Sequence, residues 1–110
     1  MIEQKDYIMM QIEQISRLLA QLFRQLENRK MFQARATVEN CFSVLNLDRE
    51  TIRTCDPNEI AEGIADPRLL VQLADLLSVC VRLFPDDHAL RLHCAVTARI
   101  EEEMIFQWSL

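Results

Sequence analysis

Glycine is almost absent from this chain. Gly63 is the single glycine among 110 residues, and there are only three prolines. An all-β protein needs a turn about every 8–12 residues and normally carries more of both. The phosphate-binding loops of nucleotide-binding proteins need two or three glycines close together, so these loops are excluded too. Because half of the residues are hydrophobic, the sequence predicts a small all-α protein with a real core.

Hydrophobic spacing predicts an antiparallel helical hairpin in the first half of the chain. One stripe alternates steps of four and three between Asp6 and Asn28, and its members are Ile8, Ile12, Ile15, Leu19, Leu22 and Leu26. Asp6 is the expected N-cap of this first helix. A turn at residues 28–30 then leads into a second helix from about Met31 to Asn46.

Aspartate and proline mark the later helix starts. Asp48 is expected to cap a turn that reaches Cys55. Asp56-Pro57 combines an N-cap with a proline at the first helical position, and it predicts a short helix. Gly63 is expected to end that helix in the left-handed conformation, which glycine adopts at little cost.

The last two helices are separated by Pro85. Asp66-Pro67 predicts the start of a helix to about Phe84, and this helix is apolar nearly all round. Such a helix is expected to be the buried centre of the protein. Asp86 or Asp87 caps a final helix that extends to about Trp108. No linker is evident, so residues 1–110 are predicted to form one domain of four to five helices.

Two segments share one spacing of small and large residues. They are Ala34, Val38, Cys41 and Asn46, and then Leu73, Leu77, Cys80 and Pro85. The spacing resembles the second helix of the tetratricopeptide repeat, with Asn46 in place of proline and Leu73 in place of a small residue. The stretch from Leu90 through Cys94, Ala95 and Ala98 resembles the first helix of a further repeat. The resemblance covers about two thirds of the chain, is interrupted at residues 47–66, and implies stacked helical hairpins.

The opening segment carries a second resemblance. Lys5-Asp6-Tyr7-Ile8-Met9, followed by an amphipathic helix, is similar to small uncharacterised bacterial proteins of a domain-of-unknown-function family with a repeat-like helical fold. Met10 stands where that family often has a basic residue. The resemblance implies a bacterial origin and a helical architecture, and it brings no catalytic residue.

Charge is distributed unevenly along the chain. The net charge is −5, with +1 in residues 1–55 and −6 in residues 56–110. An acidic protein is not a default binder of nucleic acid or of anionic membranes. The basic residues concentrate in one cluster, with Glu27 inside it: Arg24, Arg29, Lys30 and Arg35. This cluster is interpreted as a solvated helix end, and alternatively as a patch that binds an anion.

No targeting, metal or catalytic pattern is found in the sequence. Acidic residues interrupt the N-terminus, and no apolar run approaches the ~18 residues of a membrane span, so a cytoplasmic location is expected. Free thiols are therefore expected at all four cysteines, whose spacing matches no zinc site: Cys41, Cys55, Cys80 and Cys94. His88 and His93 point about 140° apart on a helix and chelate poorly. Glu101–Glu103 are expected to be solvated, and the protein is predicted to be neither an enzyme nor a cofactor binder.

Two classes of function remain after these exclusions. The first is a non-catalytic helical module for protein–protein interaction or assembly, and the alternative is a binding or regulatory protein for a small anionic ligand. A homodimer through the first helix or the C-terminal end is expected, because few hairpins are available to bury each other. Five apolar residues crowd that end and form either this interface or part of the core: Met104, Ile105, Phe106, Trp108 and Leu110.

Overall fold

The computed structural model of the protein describes residues 4–64 and 66–109, with side chains given for residues 6–64 and 66–104. Within these ranges the chain forms six helices and no strand, which confirms the all-α class. The helices are α1 (Gln4–Glu27), α2 (Met31–Val44), α3 (Arg49–Thr54), α4 (Pro57–Gly63), α5 (Pro67–Leu83) and α6 (His88–Ser109). Four to five were predicted, and the additional one is α3, where only a capped turn was expected.

The chain is divided into two compact units, residues 1–49 and residues 50–110. The first unit contains α1 and α2. The second unit contains α4, α5, α6 and most of α3. The prediction of a single domain concerns the chain as a whole and stays a prediction.

Hydrogen bonds establish that α1 and α2 are antiparallel. Gln11, near the start of α1, donates through Nε2 to the carbonyl oxygen of Val44 at the end of α2, at 2.9 Å. Thr37 Oγ1 donates to Gln25 Oε1, near the end of α1, at 2.7 Å. Apolar side chains fill the core of this hairpin, and they are Ile15, Leu19, Leu22, Ala34, Val38, Cys41 and Phe42. The predicted stripe is thus confirmed in its middle.

The predicted role of Asp6 as an N-cap is wrong. The chain is already helical at Gln4, so Asp6 lies within the first turn of α1. A carboxylate there still interacts favourably with the positive end of the helix dipole. The turn after α1 is closed by Arg29, whose φ of 57° is left-handed, and by the amide of Lys30, which donates to the carbonyl of Gln25 at 2.8 Å.

Aspartate caps begin the helices of the second unit. Asp56 Oδ1 accepts from the amide of Asn58, and Asp66 Oδ1 accepts from the amide of Arg68, both at 2.8 Å. Both predicted Asp-Pro starts are therefore confirmed. Asp87 rather than Asp86 accepts from the first turn of α6, through the amide of Leu90.

The helix α5 is the most buried helix of the second unit. Nine of its 17 residues are buried, and they are Leu69, Leu70, Leu73, Ala74, Leu76, Leu77, Val79, Cys80 and Leu83. It packs against α6, and Ser78 Oγ lies 3.9 Å from Cys94 Sγ. This burial is what the near-continuous apolarity of the segment predicts.

Gly63 is the last residue of α4, as predicted, but it does not adopt the left-handed conformation. Helical backbone suits alanine better than glycine, and a Cβ atom at this position would meet nothing within 4 Å.

We expect Gly63→Ala to raise the free energy of unfolding by about 0.5–1 kcal/mol, because the substitution reduces the conformational freedom of the unfolded chain without straining the folded state. Urea unfolding measures this, and a destabilised variant would contradict the assigned backbone.

Candidate functional site

A cleft lies at the turn of the first hairpin. Its volume is about 240 Å³, and it is lined by Gln21, Arg24, Gln25, Asn28, Lys30 and Gln33. The end of α1 and the following turn contribute four of these residues, and the N-cap and first turn of α2 contribute the other two. The hairpin turn therefore assembles residues that are up to 12 positions apart in the sequence.

The cleft contains half of the predicted basic cluster. All four members, Arg24, Arg29, Lys30 and Arg35, are exposed, but only Arg24 and Lys30 line the cleft. Among the described residues, neither of these two cations forms an ion pair with a side chain. The cations that do form ion pairs include Arg49 with Glu39, Arg53 with Glu50 and Arg68 with Asp66.

The four carboxamides of the cleft were missed by the sequence analysis. Glutamine is uncharged, so counting charges does not find it. Gln21, Gln25 and Gln33 also come from two helices, and no local sequence motif connects them. The antiparallel geometry of the hairpin was the only available signal. Thr37 fixes the side chain of Gln25 against α2 through their hydrogen bond.

Exposed apolar side chains concentrate on the same hairpin. In the part of the chain whose side chains are described, seven large apolar side chains are exposed, and only Leu92 lies outside α1 and α2. The other six are Tyr7, Met9, Met10, Phe23, Met31 and Phe32. Phe32 is 86% exposed and lies two residues after Lys30, the last basic residue of the turn. The sequence pattern did not single out Phe32, although this residue lies off the helical face of Ala34, Val38 and Cys41.

The C-terminal candidate interface lies mostly outside the described side chains. Met104 is half-buried. The side chains of Ile105, Phe106 and Trp108, and the whole of Leu110, are not among those described. The assignment of these residues to an interface or to the core stays a prediction.

No disulfide joins the four cysteines, and two of them, Cys41 and Cys80, are buried. Burial raises the pKa of the Cys41 thiol to about 11, so this group stays protonated at neutral pH.

We expect iodoacetamide to leave Cys41 unmodified in the folded protein while the half-buried Cys55 and Cys94 react. Peptide mass spectrometry measures the labelling, and urea-unfolded protein is the control in which all four react. Labelling of folded Cys41 as fast as Cys55 would contradict its burial.

The histidine and glutamate candidates are not brought together. His88 is exposed, whereas His93 is buried, with 2% of its surface exposed. Within the described ranges no three histidine, cysteine or acidic residues group as metal ligands do.

Glu102 and Glu103 are solvated as predicted, but Glu101 is half-buried. Burial raises the pKa of Glu101, and the neighbouring charges of Asp75 and Glu102 raise it further.

The raised pKa of Glu101 makes the stability of the protein dependent on pH. A carboxyl group with a higher pKa in the folded state takes up protons on folding. Its stabilising contribution is complete below its ordinary pKa of 4.5 and is lost as the pH rises through the raised value. We therefore expect Glu101→Gln to be more stable than the wild type in urea at pH 7, and equal to it at about pH 4. The exposed Glu103→Gln is the control, and an equal gain in both variants would contradict this assignment.

Known proteins provide no template for interpreting this site. No protein-family model, no curated protein and no solved structure matches the chain. Within residues 4–64 and 66–109, no helix combines the length and the apolarity that a membrane span requires.

Proposed function

We propose that this protein is a non-catalytic helical module for protein–protein interaction, and that the α1–α2 hairpin carries its contact surface. The observation that carries the proposal is the exposure of Phe32, 86% of whose surface remains accessible. Leaving a phenylalanine in water forgoes about 1.5–3 kcal/mol of burial free energy. Single exposed apolar residues are common, but Phe23, Met31 and Phe32 are all exposed near the turn of one hairpin, and such a group is typical of contact surfaces.

The proposal includes a repeat-like arrangement of helical hairpins. Six of the eight positions that resemble the tetratricopeptide pattern are buried, and Asn46 and Pro85 at the segment ends are exposed. The buried positions are Ala34, Val38, Cys41, Leu73, Leu77 and Cys80. Burial of those positions supports the resemblance, because in repeat proteins they pack within and between hairpins. Membership of the bacterial domain-of-unknown-function family and a cytoplasmic location belong to the same proposal and rest on the sequence.

A small anionic ligand is the second candidate function, favoured by the cations of the cleft. A thermal-shift screen with anionic metabolites tests it directly. A large increase in melting temperature with one compound supports this candidate, provided that Arg24→Gln abolishes the increase. Absence of any such compound supports the interaction module.

Site-specific photo-crosslinking tests the interaction surface. A benzophenone analogue of phenylalanine replaces Phe32 and, as the matched control, the exposed Arg82 of α5. We expect position 32 to crosslink to one defined protein, identified by mass spectrometry of the joined peptides, and position 82 not to do so. The identified protein, once purified, should bind the wild type and bind Phe32→Ala at least about tenfold more weakly. Equal binding of the wild type and Phe32→Ala would contradict the proposed surface.

The homodimer is tested separately, because the crowded tail is a second candidate contact. Light scattering of the wild type gives the oligomeric state, and deletion of residues 104–110 tests whether the tail holds it. A dimer that becomes a folded monomer supports the tail as an interface. A wild type that remains monomeric at high concentration contradicts the homodimer.

A further inference from the structure

The lining of the hairpin cleft is cationic and rich in amides. Two of its six residues are cations, four are carboxamides and none is acidic. The residues between 24 and 35 include four cations and a single carboxylate, Glu27. Positive charge that no acidic residue of the lining compensates attracts anions to this surface.

The start of α2 adds to this positive potential. Its N-cap residue, Lys30, makes no side-chain capping hydrogen bond, and its first turn contains no acidic residue. The positive end of the helix dipole is therefore not neutralised by α2 itself. Lys30 belongs to the lining of the cleft, so its ammonium group and the positive end of α2 both make the electrostatic potential of the cleft more positive.

The amides of the cleft favour a peptide over a bare inorganic anion. Each glutamine or asparagine side chain offers both N–H donors and a carbonyl acceptor. A peptide presents donors and acceptors of its own, whereas an inorganic phosphate presents mainly acceptors.

Two exposed apolar residues lie next to Lys30 in the sequence, although neither belongs to the lining of the cleft. Met31 and Phe32 follow Lys30 in the chain, and their side chains are 43% and 86% exposed. A ligand that reached both surfaces would need an acidic group next to a large apolar one. A free carboxylate metabolite meets only the first requirement.

We infer that the cleft binds the side-chain carboxylate of an acidic peptide segment in the partner protein, between Arg24 and Lys30, with a neighbouring apolar residue against Phe32. This inference rests on the proposed function and names the chemistry of the partner. Guanidinium and ammonium groups form charge-assisted hydrogen bonds with carboxylates, which are roughly twice as strong as neutral ones.

Selection from a phage-displayed library of random peptides on the full chain tests the inference. We expect the selected peptides to carry aspartate or glutamate beside leucine, phenylalanine or tryptophan. Labelled synthetic copies are then measured by fluorescence anisotropy. Replacing the acid by its amide, or combining Arg24→Gln with Lys30→Gln, should weaken binding at least about tenfold. Arg29→Gln removes a charge from the same turn without touching the cleft, and it should change binding less than about twofold.

The outcomes separate the cleft from the proposed function. Selected peptides without acids, or peptides that bind the double variant unchanged, overturn the carboxylate site. If those peptides still require Phe32, the interaction module stands without it. Acidic peptides that require Arg24 and Lys30 but bind Phe32→Ala unchanged support the carboxylate site and contradict the apolar surface. Citrate that binds as tightly as the peptides overturns the choice of a peptide ligand.

Discussion

Phe42→Ala is expected to lower the free energy of unfolding by about 3–5 kcal/mol. Phe42 lies on α2, has no exposed surface, and is among the largest fully buried side chains of the described residues. Truncation removes the transfer free energy of the ring and leaves a cavity that the surrounding helices fill only in part. The alanine gains slightly in helix propensity, but that gain is only a few tenths of a kcal/mol and does not offset the loss.

The same substitution on the same helix provides the control. Phe32→Ala removes an identical side chain that is 86% exposed, so we expect a change within about 0.5 kcal/mol. Urea unfolding followed by circular dichroism measures both variants. Losses of similar size at the two positions would mean that the assigned faces of α2 are wrong, and with them the proposal for Phe32.

Leu77→Ala is expected to cost about 2–5 kcal/mol. Leu77 lies in the middle of α5 and is completely buried, and its neighbours one turn away, Leu73 and Cys80, are completely buried too. A cavity in the middle of a packed helix face cannot be filled by water without unsatisfied hydrogen bonds, and the backbone there has little room to collapse.

The matched control for this helix pair is Leu92→Ala on α6. Leu92 is 56% exposed, so its truncation removes little buried surface and should change stability by less than about 1 kcal/mol. A loss below about 1 kcal/mol at Leu77 would place that residue at the surface and contradict the packing of α5.

Half of the candidate site was visible in the sequence. Arg24 and Lys30 belong to the basic cluster that charge counting finds, because charge is a property of composition that needs no partner. Charge counting cannot separate them from Arg29 and Arg35, which are also basic and also exposed. The left-handed φ at Arg29 and the direction of α2 decide which two cations share a concave surface.

Misplaced predictions have specific physical causes. Asp6 has the side-chain chemistry of an N-cap. The terminus of a helix is set by its outermost backbone hydrogen bond, however, and residue preference does not locate that bond. Gly63 marks the end of α4 correctly, yet the chain leaves through the extended Ile64, with φ of −86° and ψ of 105°, so glycine's left-handed freedom is unused. Glu101 looks solvated in a run of three acids, but its position on α6 turns it toward Asp75.

The sequence by itself determined five of the six helices that the structure describes, all except α3. Glycine scarcity, the stripe through Ile15 and Leu22, and the caps at Asp56 and Asp66 act over one or two turns of chain, so they can be recognised without a fold. Only the tertiary structure decided which surfaces remain open. The exposure of Phe32 and the joining of Gln21 and Gln33 in one cleft depend on how α2 returns along α1, and that geometry is set by packing between residues far apart in the chain.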